Sequence, residues 1–297
     1  MKHSSVPSGA EYDVITHSTL NPFGDLWRHL AAFVIFVMPW HHPCEAAEID
    51  AIVRQASEVL QMDWAAYLEY ALVERDETRK GDTVSSRTSQ VVTIEGSDYY
   101  MPIAIDDRPL SPDQANLELR RLMDEIVRRR NESASARAQR LQAFKKQRDE
   151  NGALILEFPK ALAYTLSGEQ EVNGHDAYIL LGVPKKRAGP LSRAAKVLSG
   201  MTGTIWIDRS GFHTVRAECK VLNPIPVFGI LARVMPGTHV ELELSPVSES
   251  VWLISRYSLT LAVSRFWFKS TQVTTSTYSS FRPNSIVVAE LLGRISN

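Results

Sequence analysis

The chain has 297 residues, of which 44% are hydrophobic and 23% are charged. These proportions match an average globular protein, and 15 glycines and 15 prolines are too few for collagen or for bulk disorder. The 33 Lys and Arg residues nearly balance the 34 Asp and Glu residues, so charge gives no global argument for a nucleic-acid partner, and we expect none.

The beginning of the chain has the pattern of an export signal. An apolar run at Leu30–Trp40 is too short to span a bilayer, which takes ~20 residues, and small residues follow at Ala46 and Ala47. We therefore predict a leader over 1–47, cleaved after one of these alanines. The alternative interpretation is that the apolar run is a buried strand. With the leader, the protein is expected to be exported to the periplasm or the cell envelope.

The segments that follow predict a helix, then strands, then more helix. Apolar residues three or four positions apart predict a helix over 48–61. Runs rich in aromatic and β-branched residues predict strands over 64–73 and within 90–105. A long polar stretch over 111–150, with apolar residues at helical spacing, predicts an inserted helix with a break near 131–133.

The inserted helix is strongly basic. Between residues 118 and 148 it carries ten Lys or Arg residues against four acids. One interpretation is a helix that docks on an anionic partner such as a membrane surface. The other is a solvated helix whose Arg side chains cover the fold with their apolar stems.

From Leu154 onward nearly all signals are typical of strands. Asn173-Gly174 and Arg209-Ser210-Gly211 predict hairpin turns, and further strands are expected over 239–245, 252–263 and 268–278. Sequential hairpins build an antiparallel sheet that curls, with helices covering one side, which is an α+β fold. We predict a single domain over 48–297. Alternation places one set of apolar residues on the inner face of this sheet: Val215, Ala217, Val221, Leu242, Leu244, Tyr257, Leu259 and Leu261.

The sequence contains none of the common catalytic or cofactor motifs. After the leader it holds three histidines, His175, His213 and His239, without metal-binding spacing. Glu241 and Glu243 share one face of a strand, but their apolar neighbours indicate a solvated outer face rather than an acid–base pair. We therefore expect no catalytic residue, no metal and no cofactor.

One stretch, 177–207, contains five bases and no acid. Near a membrane its bases would attract anionic head groups, at ~1 kcal/mol for each base. An ordinary solvated loop is the alternative. The candidate contacts to an anionic membrane surface are Lys185, Lys186, Arg187, Arg193 and Lys196.

A second stretch, 223–237, is almost entirely apolar and is bounded by prolines. So many apolar side chains are rarely left in water without a reason. The segment is interpreted either as a lid or membrane-dipping finger at the mouth of a cavity, or as a connection packed into the core.

Short pieces spread over the chain carry a resemblance to a known family. They are Gly203–Asp208, Phe228–Ala232, Pro236–Thr238, Trp252–Leu253 and Tyr278–Arg282. With the order of elements around them, these pieces resemble bacterial envelope proteins of the LolA/LolB-like superfamily, particularly its outer-membrane lipoprotein-sorting relatives. The resemblance implies an incomplete antiparallel β-barrel wrapped round helices, with an apolar cavity that holds acyl chains.

The leading hypothesis is a non-enzymatic envelope protein that binds a lipid acyl chain or a lipoprotein in the cleft of a half-barrel, with a role in transport. Two alternatives remain: an envelope sensor or scaffold of the same fold that binds a protein, or a hydrolase with a dispersed site. The hydrolase predicts clustered polar groups inside the cleft. The candidate ligand-binding residues are Val227, Phe228, Ile230, Leu231, Val234, Met235, Leu242, Leu244, Tyr257, Leu259 and Leu261.

Overall fold

Polar and apolar residues alternate along much of the chain after Tyr70, and in the computed structural model this pattern forms a large antiparallel sheet. The structure describes residues 43–185, 193–226, 232–265 and 268–295. The helices are α1 (Pro43–Ala66), α2 (Pro112–Arg130), α3 (Ala134–Ala161), α4 (Arg193–Leu198) and α5 (Asn284–Ile295). The strands are β1 (Tyr70–Lys80), β2 (Thr83–Ile94), β3 (Ser97–Ile105), β4 (Arg108–Pro109), β5 (Leu162–Val172), β6 (His175–Pro184), β7 (Met201–Asp208), β8 (Thr214–Val221), β9 (Ile225–Pro226), β10 (Ala232–Val234), β11 (His239–Pro246), β12 (Trp252–Arg265) and β13 (Phe268–Pro283).

Neighbouring strands follow the order β4-β3-β2-β1-β13-β12-β11-β8-β7-β6-β5, and β10 pairs with β12 and β9. Within the described ranges no pairing joins β4 to β5, so the sheet is open. Bulges interrupt several of the ladders, and a bulge increases twist and bends a strand. The predicted α+β class, with an open antiparallel sheet and accompanying helices, is confirmed.

Local turn chemistry fixes the hairpins. Asn173 and Gly174 both have positive φ, at 53° and 83°, and join β5 to β6 as the Asn-Gly sequence predicts. Between β7 and β8, the carboxylate of Asp208 accepts hydrogen bonds from the backbone N–H groups of Ser210 and Gly211. Both hairpins predicted from the sequence are therefore present.

Two clusters of buried apolar side chains lie on the sheet. The larger joins α1 and the end of α3 to β5–β8, β11 and β12, and the smaller joins α2 and α5 to β1–β3. On β3, Tyr99 and Met101 belong to the smaller cluster and alternate with Asp98 and Tyr100. Because successive side chains of a strand point to opposite faces, Asp98 and Tyr100 lie on the face turned away from α2 and α5.

Arg129 holds the hairpin between β2 and β3 against α2. Its side chain is almost fully buried, and its guanidinium donates to the carbonyl oxygens of Ile94 and Ser97, both at 2.8 Å. The same guanidinium also donates to the carbonyl oxygen of Asp98 at 3.2 Å. These bonds fix the start of β3, where Asp98 lies.

The helices differ from the sequence prediction in several places. α1 runs over 43–66, so it begins inside the predicted leader and continues past 61. The predicted strand is wrong over 64–69, because a short 3-10 turn (Tyr67–Glu69) follows α1 and β1 begins only at Tyr70. The break predicted near 131–133 is present, since α2 ends at Arg130 and Ser133 caps α3. The strand signal from Leu154 is wrong up to Ala161, since α3 continues there and buries Phe158. The sequence analysis misses α4 and α5.

None of the described helices is both long enough and apolar enough to cross a membrane.

Candidate functional site: a cavity between the helices and the sheet

A cavity of about 560 Å³ lies between α1, α3 and one face of the sheet. Its size falls in the range of ~300–1,000 Å³ that is typical of small-molecule sites. The sheet contributes lining residues from β1, β3, β7, β8, β11, β12 and β13. A single cavity therefore runs across much of the sheet beneath the two helices.

Most of the lining is apolar. Leu60 from α1, Phe158 from α3 and Ile205 from β7 are each almost fully buried at the edge of this space. β8 and β11 continue the apolar wall with Ala217, Cys219, Val240, Leu242 and Leu244. The wall formed by α4, β7, β8 and β11 therefore offers hydrocarbon contacts.

The lining from β1, β3 and β13, together with Tyr67 just before β1, is polar instead. It includes three tyrosines and two carboxylates: Tyr67, Tyr100, Tyr278, Glu74 and Asp98. Glu74 and Tyr278 are paired across β1 and β13, and Tyr67 interacts with both Asp98 and Tyr100. The cavity thus contains the clustered polar groups that the hydrolase hypothesis predicts.

Arg148 reaches this polar group from α3. Its guanidinium carbon lies 5.2 Å from the ring centroid of Trp64 and 5.3 Å from that of Tyr67. The Nη2 group donates to the carbonyl oxygen of Trp64, whereas Nη1 is buried without a hydrogen-bond partner among the described residues. Arg148 therefore keeps one unused donor at the polar side of the cavity.

Burial shifts the acid–base chemistry of these groups. It raises the pKa of Glu74 to about 7, with repulsion from Asp76 as the second cause. Burial also raises the pKa of Asp98, partly opposed by the positive charge of Arg148, and raises the pKa values of Tyr67 and Tyr278. The pKa of Arg148 is lowered by burial. Glu74 therefore changes its charge near neutral pH, and the tyrosines stay protonated there.

Two possible nucleophiles of the cavity, Cys219 and Thr214, are not activated. Burial raises the pKa of the Cys219 thiol to about 12, so the thiolate is scarce at neutral pH. The hydroxyl of Thr214 is buried and has no hydrogen-bond partner in the described part of the chain. Across the same residues, no three His, Cys, Asp or Glu side chains are grouped in a way that would hold a metal ion.

The predicted ligand-binding residues are distributed unevenly around the cavity. Leu242, Leu244 and Tyr257 line it. Val234, Leu259 and Leu261 are half-buried, as is Met235, but the lining contributed by the described residues does not include them. The remaining four predicted residues lie outside the described residues: Val227, Phe228, Ile230 and Leu231.

The predicted membrane-contact residues can be located only in part. Lys185 is exposed and donates to the carbonyl oxygen of Lys160 at 2.7 Å. Lys196 is exposed on α4. Arg193 begins α4, and its side chain lies outside the described residues, as do Lys186 and Arg187 altogether. Membrane contact at these bases stays a prediction.

Sequence reasoning missed the polar side of the cavity. Its members come from β1, β3, β13 and α3, and their meeting depends on strand register and helix packing. One partial signal exists on α3, where Phe144, Arg148, Asn151 and Ile155 recur at spacings of three and four and all line the cavity. An arginine within such a stripe indicates a polar position on an otherwise inward face.

No family model matches the chain, and no curated protein matches it. Among solved structures it is similar to a LolA superfamily protein from Nitrosomonas europaea, at 15% identity and a TM-score of 0.34, over 79% of this chain and 92% of that one. It is also similar to a DUF1329 family protein from Desulfovibrio piger, at 13% identity and a TM-score of 0.32, over 80% of this chain and 93% of that one. A third similar structure is the lipoprotein LppX from Mycobacterium tuberculosis, at 11% identity and a TM-score of 0.28, over 79% of this chain and 95% of that one. At these values the likeness carries no argument on ligand or function.

Proposed function

We propose that this chain is a non-enzymatic, exported protein of the cell envelope that holds an acyl chain of a lipid or lipidated protein in the cavity. The observation that carries the proposal is a cavity of about 560 Å³ between α1, α3 and the sheet, most of whose lining is apolar. Each methylene moved there from water contributes ~0.8 kcal/mol. A chain of several methylenes is then captured reversibly and without covalent chemistry, as a transport role requires.

The proposal includes the two segments predicted from the sequence. Residues 227–235 are proposed to form the mouth, and the bases from Lys185 to Lys196 are proposed to face an anionic membrane. If the mouth is correct, Phe228→Asp and Leu231→Asp each weaken lipid binding in a protein that remains folded. Unchanged binding in both variants would remove this segment from the site.

The test of the proposal is a displacement experiment with the full chain. The probe is 1-N-phenylnaphthylamine, which fluoresces in apolar surroundings, and the competitor is a long-chain monoacylglycerol. Ala217 lines the cavity and is 9% exposed, so Ala217→Phe places a ring in the space that the acyl chain would occupy. We expect this variant to bind probe and lipid at least about tenfold more weakly, a change of ~1.4 kcal/mol.

Ala138→Phe is the matched control, because Ala138 is exposed on α3 and outside the cavity. It should bind as the unchanged protein does. Equal binding by both phenylalanine variants, or no displacement by any lipid, would contradict the proposal. Native mass spectrometry of protein purified from its own envelope adds a second readout: copurified lipid supports lipid capture, and a protein partner without lipid supports the scaffold.

A hydrolase is the second candidate, favoured by the polar groups inside the cavity. Glu74, with its pKa raised to about 7, has the property of a general acid, and Asp98 lies nearby. Covalent catalysis by the tyrosines or by Cys219 is disfavoured, because their raised pKa values keep these groups protonated at neutral pH. Hydrolysis of p-nitrophenyl esters or glycosides that disappears in Glu74→Gln would replace the binding proposal.

A further inference from the structure

The cavity has two ends of different polarity. Its lining includes strands from β7 to β3; two of them, β8 and β1, are four neighbour steps apart in the sheet, roughly 19 Å along the sheet at 4.7–4.9 Å for each step. The apolar end is lined by Leu198, Met201, Ile205, Ala217 and Leu242. The polar end is lined by Tyr67, Glu74, Asp98, Tyr100, Arg148 and Tyr278. A ligand that fills the whole cavity must itself be amphiphilic.

The polar end is also the wetter end. Tyr100 is 49% exposed, and Gln147 and Asn151, which flank Arg148 on α3 and also line the cavity, are exposed. At the apolar end Leu198 and Ile205 are 2% and 1% exposed. The ligand is therefore oriented with its chain toward β7 and β8 and its head toward β1 and β3.

Two carboxylates and three aromatic rings surround the head position. The carboxylates of Glu74 and Asp98 lie beside Tyr278 and Tyr67, and each carboxylate can accept several hydrogen bonds. A carboxylate beside tyrosine rings is a favourable site for an ammonium group, since both the charge and the ring faces attract a cation. This part of the end is suited to positive charge.

Arg148 offers the opposite charge at the same place. Its guanidinium lies between the rings of Trp64 and Tyr67, and Nη1 is a buried donor without a partner within the described ranges. A buried donor left without an acceptor is costly, and an arginine donor matches phosphate oxygens well. The polar end thus has a position for an anion next to positions for a cation.

Resting on the function proposed above, we propose that the polar end recognises a zwitterionic lipid head group, a phosphate joined to an ammonium, while the acyl chain occupies the apolar end. The phosphate accepts from Arg148, and the ammonium lies between Glu74 and Asp98. A head group with only negative charge would be repelled by the two carboxylates. A neutral head group would forgo both charge interactions.

Single-chain lipids that differ only in the head group test this specificity. The probes are lysophosphatidylethanolamine, lysophosphatidylglycerol and monoacylglycerol with one common acyl chain, each measured by displacement of 1-N-phenylnaphthylamine from the full chain at about pH 8, above the pKa of Glu74. We expect the zwitterionic lipid to bind about tenfold more tightly than each of the other two.

Substitutions at the polar end test which residues produce the preference for the zwitterionic head group. Arg148→Met keeps the apolar stem against Trp64 and should lower the affinity for the two phosphate lipids more than the affinity for monoacylglycerol. Glu74→Gln and Asp98→Asn should reduce the preference for the zwitterion over lysophosphatidylglycerol. The controls are Lys145→Met, an exposed base one turn earlier on α3, and Glu77→Gln on β1.

The outcomes separate this specificity from the binding function itself. Equal affinity for the three lipids, or a preference that survives in Arg148→Met and Glu74→Gln, overturns the zwitterion proposal while acyl-chain binding stands. Failure of all three lipids to bind would instead contradict the proposed function. A preference for the zwitterion that is lost in these variants and kept in both controls supports the proposal.

Discussion

At the scale of single residues, Gly203 shows how closely α3 approaches the sheet. A Cβ atom at this position on β7 would overlap the carbonyl oxygen of Glu218 and lie 2.7 Å from the ring of Phe158. The first contact is with backbone, which cannot rotate away. Gly203→Ala should therefore lower the free energy of unfolding by about 1–3 kcal/mol, the usual cost of overpacking, measured by urea denaturation.

Gly293 provides the control for this substitution. It lies exposed on α5, where an added Cβ would meet nothing within 4 Å. Alanine is the better helix former by ~1 kcal/mol, so Gly293→Ala should leave stability unchanged or raise it slightly. A Gly203→Ala variant as stable as Gly293→Ala would mean that β7 and α3 are less closely packed than the structure has them.

At the scale of elements, Asp63 attaches the end of α1 to two strands. Its side chain is 2% exposed; Oδ2 lies 2.8 Å from Nδ1 of His213, and Oδ1 accepts from the backbone N–H of Trp252 at 3.0 Å. The ring of His213 in turn stacks on Trp252. One carboxylate thus fixes the helix that forms one wall of the cavity.

Removing this carboxylate should loosen α1. Asp63→Ala leaves two buried polar groups without a partner, and we expect unfolding to become easier by about 2–4 kcal/mol, with faster hydrogen exchange along α1. Asp63→Asn keeps an acceptor for Trp252, and its amide can pair with the other tautomer of His213, so it should cost much less. An equal loss of stability in Asp63→Ala and Asp63→Asn would contradict the role of Asp63 in holding α1 against the sheet.

At the scale of the whole molecule, features set by neighbouring residues were predicted correctly from the sequence, whereas features set by contacts between distant segments were not. Asn173-Gly174 specifies its hairpin through the backbone angles of two residues, so the sequence was sufficient there. α1 continues through Trp64 because that ring packs against Gly152 of α3, which no local pattern reveals. α5 was missed because its β-branched residues resemble a strand, whereas the side chain of Asn284 ties its first turn to Thr93.

The cavity depends on the same long-range relations. Leu242 and Leu244 line the cavity, and their alternation along β11 predicted that they face inward. Residues of a filled core alternate in the same way, so the pattern could not show that an open space lies beside them. The polar end was not predictable, because Glu74 and Tyr278 meet only through the pairing of β1 with β13, where they are register partners. The sequence therefore predicted the class of fold and some of the apolar residues that line the cavity, but not its polar end.

The polar end should make the stability of the whole molecule depend on pH. Glu74 faces Asp76 on its own strand, Tyr278 on β13, and Asp98 with Tyr100 on β3, and its pKa rises from 4.5 to about 7 on folding. Between these values the unfolded chain is ionised at this position while the folded chain holds the proton. This group's contribution to stability therefore falls as pH rises from 4.5 to about 7, and changes little above that.

Glu74→Gln removes this titration while keeping the shape of the side chain. Urea unfolding of both proteins near pH 5 and near pH 8 isolates the effect, because other groups cancel in the difference. Since a change of one pH unit in pKa is worth ~1.4 kcal/mol, the variant should gain about 1–3 kcal/mol relative to the unchanged protein between the two conditions. Glu249→Gln, at an exposed position between β11 and β12, should show no such gain. A difference between Glu74→Gln and the unchanged protein that does not vary with pH would mean that Glu74 is already solvated and ionised in the fold, and would remove it from the buried polar end.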